Sequence, residues 1–317
     1  MGRVAKWYLV PGLLLAGCAT PQYAIRPVPV PEESAAALEI ERDISAVQAE
    51  EFERLGARRL GWNERVGGLD VQDVVDRLSR VTERPALPYR AYLYTDDGPN
   101  AAALADGRIY LSTGMVQYLA GRGARVDEPL DSASPRSGRM PSAVEAELAV
   151  VLAHELAHTV AQHLVKRYRM LQRQQLVMAL VAAGASAATR DASAGAQQAG
   201  QLAVDAAGLL QDVANSGYSQ EQELEADQLG IRYMRQAGFE PRAALELLQD
   251  FSRFEYPWPF LRTHPYTSVR RDYLERYLAE TESPEGQRKA LQDAQRLYPK
   301  SSISWQNLQR QLEALER

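Results

Sequence analysis

The residues best suited to chemistry are concentrated in one pentapeptide, His154-Glu155-Leu156-Ala157-His158. On an α-helix, residues four apart share a face. The two imidazoles can therefore bind one metal ion while the Glu155 carboxylate stands on the neighbouring flank as a general base. The run from Ser142 to His163 holds no glycine or proline and is rich in Ala, Leu and Val, which predicts a helix. Pro141 precedes it, and Ser142 with Glu145 has the spacing of a capping box. Only 4 histidines occur in the chain, and His163 is a third within this stretch. The helix is apolar on most sides and so expected in a core, where ring nitrogens without partners would be costly. Two ordinary core histidines are the plain alternative, and they leave that cost unmet.

Such a metal site needs a third protein ligand. The next polar helical stretch, Ser219 to Arg235, begins with Ser219 and Gln222 at capping-box spacing and stops short of Gly238. Glu223 and Asp227 lie four apart on it, so one carboxylate can bind the ion while the other orients a ligand histidine. The donor set suits one Zn2+ per chain, and ligand chemistry alone also admits another divalent metal. The motif helix followed by Glu223-Leu224-Glu225-Ala226-Asp227 resembles the HtpX and CAAX prenyl protease family of zinc metallopeptidases, gluzincins with a Glu-x-x-x-Asp third-ligand motif. Asn100-Ala101-Ala102-Ala103-Leu104 resembles that family's edge strand, and Arg262-Thr263-His264-Pro265 with Arg270 resembles its Thr-His-Pro loop. The resemblance covers roughly residues 36 to 280 and points to the soluble periplasmic branch of outer-membrane lipoproteins. It implies His154, His158 and Glu223 as zinc ligands, Glu155 as the general base and Asp227 as a partner behind the ligands. His264 matches a histidine that approaches the metal in some relatives, as a switch or transition-state stabiliser, and His264 or Arg270 is the candidate oxyanion partner. Ala102 stands where the family strand commonly has Phe, which leaves subsite preference open.

Several elements must position these groups. Residues 34–66 predict a charged amphipathic helix, and residues 70–82 a second, with Val71, Val74, Val75 and Leu78 at helical spacing. The period then changes: Tyr89 to Tyr94 alternates like a strand, and Asn100 to Thr113 predicts two short strands around an Asp106-Gly107 turn. Ala101 to Ala105 is the candidate edge, able to pair with an extended peptide backbone; an ordinary covered strand is the alternative. Met115 to Leu119 starts a further helix, and Gly121 to Pro141 is a polar loop rich in Gly, Pro and Ser, expected to be a disordered insertion rather than a lid. Leu176 to Ala188 is apolar but too short for a bilayer span, and residues 189–215 stay rich in Ala, Gly and Gln. The stretch reads as mobile or loosely helical cover over the site, with ordinary core packing the expected case and a membrane-skimming segment a further alternative. The fold class is thus α+β: a mostly helical zincin-type metallopeptidase domain with a small mixed sheet, plus a short C-terminal helical pair.

Residues 1–17 read as a lipoprotein signal, with Arg3 and Lys6 ahead of an apolar core. Leu15-Ala16-Gly17-Cys18 resembles a lipobox, which implies cleavage before Cys18 and acylation of its thiol. Cys18 is the single cysteine, so it has no disulfide partner within the chain. Ala19 after it favours the outer membrane by the sorting pattern of such lipoproteins. Residues 18–33, with Pro21, Pro27, Pro29 and Pro31, form an extended tether. Residues 34–280 are assigned to the metallopeptidase domain and 284–317 to the C-terminal helical appendage, a helix, a Tyr298-Pro299 break and another helix. The net charge is −5, and no basic patch stands out, so nucleic acid is not an expected partner. The expectation is a periplasmic zinc endopeptidase, lipid-anchored to the outer membrane. The resemblance suggests unfolded or misassembled envelope proteins as substrates and outer-membrane assembly machinery as a partner. The alternative is a zinc-containing scaffold or chaperone-like lipoprotein with little hydrolysis, its tail pair resembling a fragment of a helical-repeat module.

Overall fold

The computed structural model describes residues 31, 33–122, 141–189, 206–252, 259–265 and 267–316. The signal segment, Cys18 and most of the tether fall outside these residues, as does nearly all of the 121–141 loop. Helix α1, Ala35–Arg54, is capped by the Ser34 hydroxyl and ends at Leu55, followed by Gly56 at φ 72°. The single helix expected over 34–66 is therefore corrected. Beyond the left-handed glycine the chain enters short strands, β1 (Arg58–Arg59), β2 (Arg65–Val66) and β3 (Leu69–Asp70). Helix α2, Val71–Ser79, follows as expected, with Asp70 as its cap.

Strands β4 (Arg90–Tyr94), β5 (Ala101–Ala103) and β6 (Arg108–Ser112) complete a mixed sheet in the order β1-β4-β6-β5. β4 runs parallel to β6, and β5 pairs antiparallel with β6 at the edge predicted for it. The period-2 alternation divides the side chains between two layers. Ala91, Leu93, Ile109 and Leu111 join the main core. Tyr94 and Tyr110, with Tyr92 partly buried beside them, lie under α1, where Phe52 stacks on Tyr110 at 4.1 Å.

After β6 come helix α3 (Thr113–Gln117) and a π-helical turn to Arg122, then α4 (Pro141–Val160) and α5 (His163–Thr189). Ser142's side chain is outside the described set, and Glu145 bonds Arg77 at 2.8 Å. The expected helix through His163 is also corrected, because Gln162 takes φ 55° and breaks it. That turn is held by a buried network: Gln162 Nε2 donates to Glu41 Oε1 at 2.8 Å, and the Arg84 fork bonds both Glu41 oxygens at 2.7 and 2.9 Å. The chain continues with α6 (Ala206–Asn215), α7 (Gln220–Gln236), α8 (Ala243–Phe251), α9 (Pro259–Thr263) and α10 (Thr267–Glu280). Both halves of the Ser219/Gln222 capping box form, and Gly238 follows α7 at φ 78°.

Helix α4 is the axis of the core, buried almost throughout between the sheet, α2 and α7. It crosses α7 at Gly230, where an added Cβ would lie 3.3 Å from the His154 backbone nitrogen. The tail pair, α11 (Pro284–Gln295) and α12 (Ile303–Leu315), has a small core of its own around Leu291, Tyr298 and Leu308. It docks on the body through Asn307 Nδ2 to Thr82 O at 2.8 Å and Ser304 Oγ to Glu83 O at 3.0 Å. Among the described residues no single helix is long and apolar enough to cross a membrane. Core packing fails for part of the Leu176 to Ala188 run, because Leu176 to Met178, Leu180 and Val181 are exposed.

Candidate metal centre and substrate cleft

All four histidines of the chain converge on one buried cluster with Glu223. The helical repeat of α4 sets His154 Nε2 3.0 Å from His158 Nε2. The close crossing at Gly230 lets α7 deliver Glu223, with Oε2 3.4 Å from His154 Nε2 and Oε1 3.5 Å from His158 Nε2. Tetrahedral zinc with bonds of about 2.0–2.1 Å holds neighbouring ligand atoms roughly 3.3 Å apart. The three spacings fit that requirement. His264, just after α9, adds Nδ1 at 3.1 Å from His154 Nε2 and 3.2 Å from Glu223 Oε1. One donor atom from each of the four residues lies within 4.8 Å of the others. The sequence reading named three ligands, and the fold brings His264 to the place of a fourth. Glu155 Oε1, buried and without a hydrogen bond, stands 3.2 Å from His264 Nε2 at the edge of this group.

Burial opposes charge on each member, and the neighbours decide the outcome. For His154, burial and the Arg270 guanidinium push the pKa down, yet the Glu223 and Asp227 carboxylates prevail and hold it up at about 9. Burial and the positive His154 hold His158 well below its usual value. Burial alone would raise Glu223, but Arg270, His264 and His154 keep its carboxyl well below the usual range.

Two hydrogen-bonded chains orient the ligand imidazoles from behind. His154 Nδ1 lies 2.8 Å from Asp227 Oδ1, and the Arg270 fork bonds both Asp227 oxygens at 2.8 Å while facing Glu223 Oε2 at 2.8 Å. Arg270 is thus engaged with Asp227 and Glu223. On the other side His158 Nδ1 lies 2.7 Å from His163 Nδ1, and His163 Nε2 lies 3.0 Å from Glu225 Oε2. On a continuous helix a residue five positions on would point about 140° away. The left-handed turn at Gln162 is what swings His163 back onto His158. Sequence reading noted His163 only as a further histidine on the helix and missed Glu225. It also missed Tyr218, which stacks on His158 at 3.7 Å, and Phe260, which stacks on His264 at 4.5 Å. The only available signal was the presence of polar and aromatic residues near the motifs, which says nothing of contact.

A cleft of about 330 Å³ opens beside the cluster. Glu51 and Phe52 of α1, Ala101 to Ala103, Glu155, Tyr218 and His264 are among the residues that line it. Leu104 N bonds Arg108 O and Ser112 N bonds Asn100 O, so the even-numbered residues of β5 face β6. Ala101 and Ala103 therefore turn their backbone groups outward. Ala103 N–H donates to Glu155 Oε2 at 2.9 Å, which places the motif carboxylate level with β5, the edge strand among the described residues.

The sequence profile of peptidase family M48 matches residues 68–278. The beta-barrel assembly-enhancing protease of Yersinia pestis is 32% identical over 189 residues, 58% of this chain and 33% of that protein. Its counterpart in Escherichia coli (strain K12) is 30% identical over the same lengths. The mitochondrial metalloendopeptidase OMA1 of Schizosaccharomyces pombe is 27% identical over 223 residues, 68% of this chain and 54% of that protein. The chain thus spans about a third of the length of the bacterial relatives it matches.

Proposed function

The chain belongs to peptidase family M48, and from that premise we propose that it is a zinc-dependent endopeptidase of the bacterial cell envelope. The observation that carries the reading is the position of Glu155, between a zinc-type donor cluster and the outward-facing edge of β5. Residues His154, His158 and Glu223 hold the ion, which when bound supplies Lewis-acid polarisation of a water and of the scissile carbonyl. An extended polypeptide adds to β5 through the backbone groups of Ala101 and Ala103. Glu155 takes the proton of the attacking water and delivers it to the leaving amine, so no covalent intermediate is needed. Pairing at Ala103 displaces the hydrogen bond that Glu155 now accepts there, which frees the carboxylate for the water.

His264 Nδ1, 3.1 Å from His154 Nε2, would take a fourth ligand position on the bound ion, so turnover would require it to give way. At equal zinc content His264→Ala is expected to raise the cleavage rate; a rate lowered with unchanged zinc would make His264 a transition-state partner instead. The substrates we propose are unfolded or misassembled periplasmic and outer-membrane proteins. The support is an open edge with small alanine side chains, together with relatives named for beta-barrel assembly. The lipobox-like Leu15 to Cys18 supports a signal at 1–17, a lipid anchor on Cys18, a tether to residue 33 and a place on the periplasmic face of the outer membrane. Residues 34–280 form the proposed catalytic domain. The 284–317 pair, a single one docked on the loop after α2, supports an appendage more than a repeat array that would recruit assembly machinery.

The test is cleavage of casein or an unfolded porin by the parent chain and by Glu155→Gln at equal zinc content. Turnover in the parent, lost in the variant by a factor of roughly 10² or more, is expected for removal of a general base. Equal rates in the two would refute the assignment.

A further inference from the structure

We propose that the outer part of α5 is a docking element for an anionic phospholipid bilayer, separate from the anchor at Cys18 and independent of hydrolysis. The helix is fixed at its base, where His163, Leu164 and Val165 are buried, and from Gln172 to Val181 it stands clear of the body. Leu176, Val177, Met178, Leu180 and Val181 are 56–64% exposed. The five exposed side chains span about 200° of the helix at about 100° per residue, and half-buried Ala179 falls in the remaining sector, so the run Leu176 to Val181 is apolar in residue type on every side. A groove on a protein partner is matched by an apolar stripe on one face, whereas a helix apolar all round is buried in a protein core or in hydrocarbon, and the charges select the second.

Charge points the same way. The 27 residues of α5 include Lys166, Arg167, Arg169 and Arg173 and no Asp or Glu, in a chain of net charge −5. All four cations precede the apolar turns, Lys166 also reaching Glu225 at 3.4 Å and Arg167 donating to Gly217 O, and from Gln174 to Thr189 the helix carries no charge. A basic collar followed by an uncharged apolar tip is the order in which headgroups and acyl chains are met. Leu176 to Ala188 is roughly 20 Å long as a helix, against a hydrocarbon core of about 30 Å, so it enters one leaflet without crossing. The same helix begins at His163, which contacts the ligand His158. Docking of the tip would hold the metal cluster about 20 Å from the apolar boundary, by the rise from 163 to 176.

The experiment is photolabelling of the full chain, reconstituted with vesicles of phosphatidylethanolamine and phosphatidylglycerol that contain an acyl-chain diazirine lipid, with labelled residues mapped by mass spectrometry. Label is expected between Gln174 and Thr189, and little on the exposed body residues Leu38, Leu55 and Trp62. Val177→Glu with Leu180→Glu is expected to lower it about tenfold without changing the unfolding midpoint, because both side chains are exposed and the charges oppose burial in lipid. Replacement of phosphatidylglycerol by phosphatidylcholine should lower it severalfold, at roughly fivefold per cation on an anionic surface. Absence of label on α5 while the N-terminal region is labelled would overturn the proposal. So would protection of 176–181 from hydroxyl-radical footprinting without vesicles, which would mean that another segment, a second copy or a protein partner covers the tip.

Discussion

Replacing His163 by leucine isolates one of the two chains that orient the ligands. With Nε2 of His158 directed at the ion, Nδ1 of that ring carries the proton and donates to His163 Nδ1 at 2.7 Å. His163 accepts as a neutral imidazole, a form favoured by its burial, and its Nε2–H donates to Glu225 at 3.0 Å. Leucine removes the acceptor and leaves the His158 N–H buried without a partner, at a cost of about 1–3 kcal/mol in the zinc-bound form. At about 1.4 kcal/mol per factor of ten, that is roughly a 5- to 150-fold loss of zinc affinity, overlapping the 10- to 100-fold typical of such outer partners. The assay is competition for zinc with a chromogenic chelator, with the visible spectrum of the Co2+-loaded chain as a second readout of ligand geometry. His163→Gln, whose amide oxygen can accept the same proton, should recover most of the affinity. Glu225→Gln should weaken zinc binding by less than about tenfold, since that carboxylate is a third exposed and acts only through His163. In the His163→Leu background it should add nothing, because the two residues form one pathway. Zinc binding by His163→Leu within twofold of the parent, or a glutamine variant that restores the melting temperature but not the affinity, would refute this role for His163.

Arg270→Met should destabilise the zinc-free chain by about 3–5 kcal/mol, because Asp227 and Glu223 keep their buried charges without the guanidinium. Zinc should restore part of that stability by neutralising Glu223, and a melting temperature unmoved in both states would show that Arg270 is not their counter-charge. Gly230→Val puts side-chain atoms where a Cβ already stands 3.3 Å from the His154 backbone. Forcing α4 and α7 apart should cost about 1–3 kcal/mol and weaken zinc binding with it, measured by calorimetry and metal titration. Unchanged values for both would mean that the crossing tolerates separation.

The catalytic letters were legible because they are local. His154, Glu155 and His158 are related by one helical turn, as are Glu223 and Asp227, and a helix fixes such spacings whatever surrounds it. The strands flanking Asp106-Gly107 and the capped start of α7 were legible for the same reason. Where α1 stops, and how α4 ends, depended on single left-handed residues, Gly56 and Gln162. Gln162 is not a residue that announces such a turn, and its conformation is held by Glu41 and Arg84, 121 and 78 positions earlier. That distant network brings His163 to His158, so no local pattern could assign its role. The packing of β5 at the edge of the sheet, the closure of His264 onto the other ligands and the stacking of Tyr218 on His158 likewise join segments far apart in the chain. The sequence by itself determined which donors exist and which neighbours share a face. Only the tertiary structure decided which of them meet, because long-range burial, not helical period, sets those distances.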